Sequence, residues 1–319
     1  MKFAVAGAGA IGAYIGARMA QAGCDVTLFA RGAHCRAMQE DGVRVVGTEG
    51  EFAGRPHVVD SLDALGLVDV VLLGVKAHSL PDLAPRLPVL FGPETAVVSM
   101  QNGIPWWYFA GADRLEKVDP GGVIASAIGA RRVVGSIVYL STEIVAPGVI
   151  RHIEGNRITL GEPDGARSER CRKISEALVQ AGLRAPITTH IRQEIWVKLL
   201  GNVAFNPISA LTGATLVRMA RDPEVSTLVR AIMGETEAVA GKLGIEMPIS
   251  IDQRMAGAEK VGEHKTSMLQ DLESGRPLEL EAIVGAVLEL GERLGVAMPD
   301  THAVYACTKL LEKQRRGTG

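Results

Sequence analysis

The chain has 319 residues, 47% of them hydrophobic and 22% charged, with a formal net charge of −2. That length exceeds a usual single domain and fits two, each able to bury its own core. The near-neutral charge gives no global reason to expect nucleic acid or an anionic membrane as partner, and no run approaches the roughly 18 apolar residues a bilayer span needs. Lys2 and the apolar stretch after it have a faint likeness to a secretion signal, but Gly7, Gly9, Gly12 and Gly16 break its apolar core, so the chain reads as soluble and cytoplasmic. Cys24, Cys35, Cys171 and Cys307 form no CxxC pair, which argues for reduced thiols and against a disulfide framework or a zinc site. The seven histidines show no HxxxH spacing, and no metal site is expected.

In chain order, Lys2–Ala6 and residues 26–29, 68–75 and 95–99 read as buried strands, separated by Gly-bounded helical stretches. Strands alternating with helices predict βαβ units and a parallel sheet. Residues 132–140 and 148–160 are more hairpin-like, with turn signals at Pro147-Gly148 and Gly155-Asn156, and are expected to extend the sheet antiparallel at one edge. Beyond Pro186 the pattern changes to long 3.6-period segments at 191–205, 223–243, 280–295 and 300–314. The fold class is therefore α/β: an N-terminal Rossmann-type doubly wound sheet over residues 1–187, then an all-helical C-terminal domain over 188–319. The tail from Arg315 is expected to fray.

Gly7-Ala8-Gly9-Ala10-Ile11-Gly12 follows the first strand and opens a helix ending near Gly23. The first glycine allows a tight turn, the second a close backbone approach to a pyrophosphate, and the third close helix–strand packing. Such a motif alone is weak, since Gly/Ala-rich turns are common, but strand–turn–helix at this position is the context that supports dinucleotide binding. An NAD enzyme places an acidic residue at the end of the second strand, about 20 residues on. Here Phe29-Ala30-Arg31 stands there instead. A guanidinium can pair with a 2′-phosphate, so Arg31 favours NADP(H), the alternative being an ordinary exposed arginine.

Residues 191–206 read IRQEIWVKLLGNVAFN, followed by Pro207. Beyond Glu194, the polar side chains are Lys198, Asn202 and Asn206, spaced by four and hence on one face of a helix. A surface helix normally shows a broader, more charged polar face, so this stripe suits the lining of a cleft better than a solvated face. Lys198 then has a chemical use. Reduction of a ketone leaves an alkoxide that needs a proton, and a partly desolvated ammonium can supply it.

With these residues in hand, the chain is similar to the ketopantoate reductase (2-dehydropantoate 2-reductase) family over nearly its whole length. The likeness rests on the glycine motif, Arg31, Gly74-Val75-Lys76-Ala77, Gln101-Asn102-Gly103, Glu194 to Lys198 with Asn202 and Asn206-Pro207, Ser267 to Leu272, and Gly275 to Glu279. The resemblance implies a 6-phosphogluconate-dehydrogenase-like arrangement and reduction of 2-dehydropantoate to (R)-pantoate by NADPH, a step toward pantothenate and coenzyme A. It implies Lys198 as general acid and Glu279 as a catalytic residue that holds a substrate hydroxyl. Gly7, Gly9, Ala10, Ile11, Gly12, Arg31, Lys76 and Asn102 would bind the cofactor. Asn102, Asn202, Asn206, Ser267 and Glu279 would bind a small 2-oxo acid, and a homodimer is compatible with the family. Bland alternatives stand beside these: Glu279 as the start of a solvated helix, Ser267 as a helix N-cap. His264 stands where members often have Asn, three residues before the serine, and asparagines the family can carry are absent from residues 212–221. Both departures touch the substrate side. They keep open a reductase of another 2-oxo acid yielding a D-2-hydroxy acid, and more remotely a non-catalytic NADP sensor.

Overall fold

A computed structural model describes residues 1–47, 50–109, 111–315 and 317. The expected frayed tail therefore falls partly on Arg316, Thr318 and Gly319, outside the described residues. The chain forms two compact units. The first comprises Met1–Gln101, Trp106–Arg114 and Gly121–Ile191; the second comprises Asn102–Pro105, Leu115–Pro120 and Arg192–Gly319.

In the first unit the elements run β1 (Lys2–Ala6), α1 (Ala10–Gln21), β2 (Asp25–Phe29), α2 (Gly32–Asp41), β3 (Val43–Gly47), β4 (Phe52–Gly54), β5 (His57–Val59), β6 (Val68–Leu73), α3 (Leu80–Leu83), β7 (Phe91–Ser99), α4 (Val123–Ile128), β8 (Val133–Ala146), β9 (Val149–Gly161) and α5 (Glu169–Gln180). They build one sheet in the order β4-β3-β9-β8-β7-β6-β1-β2-β5. The stretch from β8 through β7, β6, β1 and β2 to β5 is parallel. Its strands are the near-continuous apolar runs that burial on both faces selects, and Val5, Val71 and Leu73 are fully buried.

Two expectations are corrected. The β8–β9 pair is antiparallel, but it is internal: β8 lies parallel to β7, and β9 pairs in parallel with β3, which carries β4 at the true edge. Val43 and Val45 on β3 bury into the same core, and this short pattern is easily lost between polar residues. Pro147-Gly148 is the hairpin turn, but Gly155-Asn156 lies inside β9. Gly155 has φ +77°, and a side chain there would meet Tyr139 O at 2.2 Å, at the place where the register with β8 shifts. It marks a bulge.

The second unit is helical: α6 (Ile191–Thr212, its first residue closing the first unit), α7 (Leu216–Arg221), α8 (Pro223–Lys242), α9 (Ile251–Val261), α10 (Ser267–Glu273), a π-turn at Glu281–Gly285 leading into α11 (Ala286–Leu294), and α12 (Pro299–Arg315). Its centre is α8, whose Val229, Ile232, Met233, Thr236, Val239 and Ala240 are buried at helical spacing. Local chemistry sets the ends: Asp222 accepts from Val225 N–H, Ser250 and Gln253 form a capping box, and the Glu235 carboxylate accepts from Asp300 and Thr301 N–H at the start of α12. The helix at 191 does not stop before Pro207 but runs to Thr212, with Pro207 and Ile208 buried inside it.

Candidate functional site

The glycine loop joins β1 to α1. Gly7 has φ +104°, and a Cβ there would stand 2.3 Å from Val75 Cγ1 and 2.8 Å from Val75 N. A Cβ on Gly12 or on Gly74 would lie 2.4 Å from Gly7 O. Three backbones thus cross at the carboxyl ends of β1 and β6 with no room for a side chain. Gly9 is the exception, since nothing lies within 4 Å of its Cβ position. It is the N-cap of α1 and offers no side-chain cap to the first N–H groups of that helix, where Ala10 and Ile11 are partly exposed. Tight packing at the first and third glycines with an open second one fits a pyrophosphate.

Around the loop, Gln101 Nε2 donates to Leu73 O and Val75 O at 2.9 and 2.8 Å, and Ser99 Oγ donates to Gln101 Oε1. Gln101 therefore fastens the end of β7 to that of β6. Half-buried Lys76 follows this crossing. Arg31 is exposed at the N-cap of α2, its guanidinium unpaired among the described residues. His34, which the sequence does not single out, accepts from Gly148 N–H through Nδ1 at 2.9 Å, and burial pushes its pKa down.

In the second unit a row of three side chains comes from distant parts of the chain. Lys198 Nζ donates to Asn102 Oδ1 at 2.7 Å, and Asn102 Nδ2 donates to Glu279 Oε2 at 3.1 Å. An amide between a cation and a carboxylate satisfies both only in this orientation. Burial pushes the Lys198 ammonium down to about 8; the Glu279 carboxylate opposes that fall, and the Arg254 guanidinium adds to it. Asn202 is half-buried and Asn206 only 4% exposed, on the same face of α6, so the stripe is not a solvated face.

The backbone explains how the row is held. Glu279 is 5% exposed, which overturns the solvated-helix alternative. It follows the Gly275-Arg276-Pro277 turn, which Arg276 ties to buried Asp271 at 3.0 Å, and it stands two residues before the π-turn begins at Glu281. That turn carries Asn102: Ile104 N–H donates to Ala282 O at 3.0 Å, and Gly103, at φ +86°, presses so close that a Cβ would meet Ala282 O at 2.1 Å. A π-turn beside a polar site is a recurrent association. Behind it, Glu281 accepts from Tyr305 Oη and from Lys309 Nζ at 2.8 Å and pairs with Lys117 at 3.2 Å. Burial would raise the Glu281 carboxyl, but these partners hold it below the usual range.

Ser267 is exposed as the first residue of α10, and the N-cap is Thr266, whose hydroxyl accepts from Leu269 N–H. The cap alternative for Ser267 is thereby corrected. Among the described residues the side chains of Asn202, Asn206 and Ser267 make no hydrogen bond. Among the described residues, no group of three or more His, Cys, Asp or Glu is placed to hold a metal, and no helix is long and apolar enough to cross a membrane.

A glycine loop suited to a dinucleotide, and a lysine held in hydrogen-bonded line with a carboxylate, define a nicotinamide-dependent oxidoreductase. The chain belongs to the ketopantoate reductase PanE/ApbA family: the family model matches residues 3–165, and the model of the family's C-terminal region matches residues 190–312. A 2-dehydropantoate 2-reductase of Mesorhizobium japonicum is 48% identical over 322 residues, covering 99% of each chain. A crystal structure from Ralstonia solanacearum MolK2, assigned to the ketopantoate reductases, superposes with a TM-score of 0.93 at 40% identity, covering 100% of this chain and 99% of that one. The ternary structure of D-mandelate dehydrogenase with NADH and anilino(oxo)acetate has a TM-score of 0.86 at 22% identity, covering 99% and 100%, and shares the fold.

Proposed function

We propose that this chain reduces 2-dehydropantoate to (R)-pantoate with NADPH, as a cytoplasmic enzyme of pantothenate and coenzyme A synthesis, with Lys198 as the general acid. The observation that carries the reading is the Lys198–Asn102–Glu279 row, set in a chain of this family. A bound nicotinamide supplies hydride to the ketone carbon. The protein does the rest. The Gly7–Gly12 loop, with Gly9, Ala10 and Ile11 at the start of α1, holds the pyrophosphate, Arg31 pairs with the 2′-phosphate, and Lys76 and Asn102 adjoin the ribose and nicotinamide.

As negative charge gathers on the ketone oxygen, Lys198 Nζ gives it a proton. An ammonium with pKa about 8 is largely charged at neutral pH yet gives up its proton more readily than an exposed lysine. Asn102 orients Nζ by accepting one of its hydrogens. It also keeps the ammonium from collapsing onto Glu279, whose remaining carboxylate capacity accepts from the substrate hydroxyl. Asn202, Asn206 and Ser267 offer further polar groups to the substrate. Water then reprotonates Lys198, so one NADPH and one proton are consumed per alcohol formed.

The test is NADPH oxidation with 2-dehydropantoate beside a panel of other 2-oxo acids, on wild type and Arg31→Ala. Preference for 2-dehydropantoate supports the reading. Loss of the charge-assisted pair to a 2′-phosphate, worth about 1.5–3 kcal/mol, should raise the KM for NADPH and leave NADH nearly unchanged. Equal loss with both cofactors would overturn NADP selectivity. A second reading, reduction of a 2-oxo acid with another side chain, is favoured by His264, half-buried shortly before α10 and joined through its carbonyl to Leu216 N–H. Faster turnover of such an acid would establish it. The family's compatibility with a homodimer is checked by sedimentation.

A further inference from the structure

The π-turn is attached to two members of the Lys198–Asn102–Glu279 row. Ile283 N–H donates to Glu279 O at 3.1 Å, and Ala282 O accepts at 3.0 Å from the N–H of Ile104, two residues beyond Asn102. Glu281 opens this turn. Its carboxylate accepts from Tyr305 Oη at 2.8 and 2.9 Å and from Lys309 Nζ at 2.8 Å, both on α12, and pairs with Lys117 Nζ at 3.2 Å. Lys117 is held in its turn, since its N–H and that of Glu116 donate to the two oxygens of Glu289 on α11 at 2.9 and 3.0 Å. Gly285 is buried four residues after Glu281, with an ordinary helical φ of −58°. A Cβ there would lie 2.6 Å from Glu281 Oε2. Glycine is a poor residue for a helix interior, and this one does not use a positive φ. What it supplies is room for the Glu281 carboxylate.

We infer that Glu281 is a positioning residue: by tying the π-turn to α12 and to Lys117 it sets the places of Asn102 and Glu279, and through them the aim of the Lys198 ammonium; this rests on the reductase reading given above. The geometry of the turn gives the reason. A π-turn holds one residue more than an α-turn, so relaxation to α spacing would rotate the segment on one side of it by about 100° and shift that segment by about 1.5 Å. Either movement would carry Glu279 and the Asn102 loop out of line with each other. The bonds from Tyr305, Lys309 and Lys117 fasten the first residue of the turn to neighbouring elements and oppose that rotation. Bonds to an ionised acceptor are the stronger kind, and here a single carboxylate gathers three donors from two separate stretches of chain. Glu281 itself need not touch the substrate. A misplacement of about 1 Å at a reacting group, caused from a distance, can cost about 100-fold in rate.

The experiment follows NADPH oxidation with the preferred 2-oxo acid, its pH profile and NADPH dissociation in wild type, Glu281→Gln, Tyr305→Phe and Gly285→Ala, each made also in an Asn102→Ala background. Glu281→Gln keeps the size of the side chain but offers one acceptor oxygen in place of two and no charge. It should cut kcat by about 10–100-fold and change NADPH dissociation by less than about threefold. Tyr305→Phe, which removes a single hydroxyl, should cut kcat by about threefold. Gly285→Ala adds a methyl that displaces the flexible carboxylate but favours the helix, so it should match Glu281→Gln with no fall in Tm. Because the Glu279 carboxylate raises the Lys198 pKa, loosening the row should also carry the basic limb below the pH of about 8 expected for wild type. Where Asn102 is already gone the row is broken, and the same substitutions should change kcat by less than about twofold, the non-additivity of residues that act through one another. Equal losses in both backgrounds with the basic limb in place would assign Glu281 to folding alone and overturn the inference. An unchanged kcat in both Glu281→Gln and Gly285→Ala would overturn it as well, and either result leaves the reductase reading standing. A wild type inactive toward every 2-oxo acid would overturn both.

Discussion

Replacing Glu279 by Gln should move the pH at which the enzyme loses activity. The three-residue row separates the Lys198 ammonium from the Glu279 carboxylate by two hydrogen bonds of 2.7 and 3.1 Å across one amide. That geometry leaves the charges roughly 6 Å apart, and at an effective dielectric constant of about 20 their attraction is roughly 2.8 kcal/mol, or about two pKa units. Removing the carboxylate removes a force that raises the Lys198 pKa, while burial and Arg254 continue to lower it. In wild type the basic limb of kcat/KM should lie at about 8. In Glu279→Gln it should lie about one to two units lower, so that the variant is relatively most impaired above neutral pH. The assay is NADPH oxidation from pH 5.5 to 9.5, with a substrate lacking the hydroxyl run in parallel to separate binding from titration. A basic limb that stays in place with both substrates would show that Lys198 is not the titrating acid.

Two further outcomes follow from the same groups. Lys198→Met should cut kcat by about 10²–10⁴ with dinucleotide binding retained, measured by single-turnover kinetics and cofactor titration. The same variant should be more stable at pH 7. The folded pKa of Lys198 is about 8 against an ordinary 10.5, so the unfolded chain binds more protons across that window and wild-type stability rises with pH through it. The shift alone implies roughly 3 kcal/mol, but Asn102 loses a donor, and urea unfolding should show a gain of about 1–2 kcal/mol at pH 7 that vanishes near pH 10.5. A variant no more stable at pH 7 would mean that the charged lysine costs nothing where it sits. Gly103→Ala puts a methyl 2.1 Å from Ala282 O at a positive φ; it should cost about 1–3 kcal/mol in thermal unfolding and depress kcat by displacing Asn102. Full activity there would uncouple the loop from the row.

The sheet was legible because strands buried on both faces are apolar without interruption, as Lys2–Ala6 and residues 68–73 are. The edge pair β3–β4 and the bulge at Gly155 were not. Three-to-five-residue strands among polar residues give little periodicity, and a glycine at a bulge reads like one at a turn. On the site side, the four-residue spacing of Lys198, Asn202 and Asn206 declared a face by itself. Glu279 and Asn102 needed the family likeness, because a Gly-Arg-Pro turn or a strand end says nothing of what lies opposite. The tie between Glu281 and Tyr305 was out of reach altogether: it depends on how α12 packs on the π-turn, which neither segment records. Thr266 outranked Ser267 as the cap, though both residue types suit that position.

Gln101 and Asn102 are neighbours in sequence, yet the first is tied to the strands of the sheet and the second to the helical unit. The helical half is consequently not a detachable piece. A fragment beginning at Arg192 would carry Lys198 and Glu279 without the amide that spaces them, and without the Leu115–Pro120 stretch that brings Lys117 to Glu281. A chimera spliced at residue 191 between two members of this family would inherit its lysine from one parent and the lysine's hydrogen-bond acceptor from the other. Exchange of substrate preference between relatives should therefore succeed only when the Asn102–Pro105 and Leu115–Pro120 segments travel with the helices.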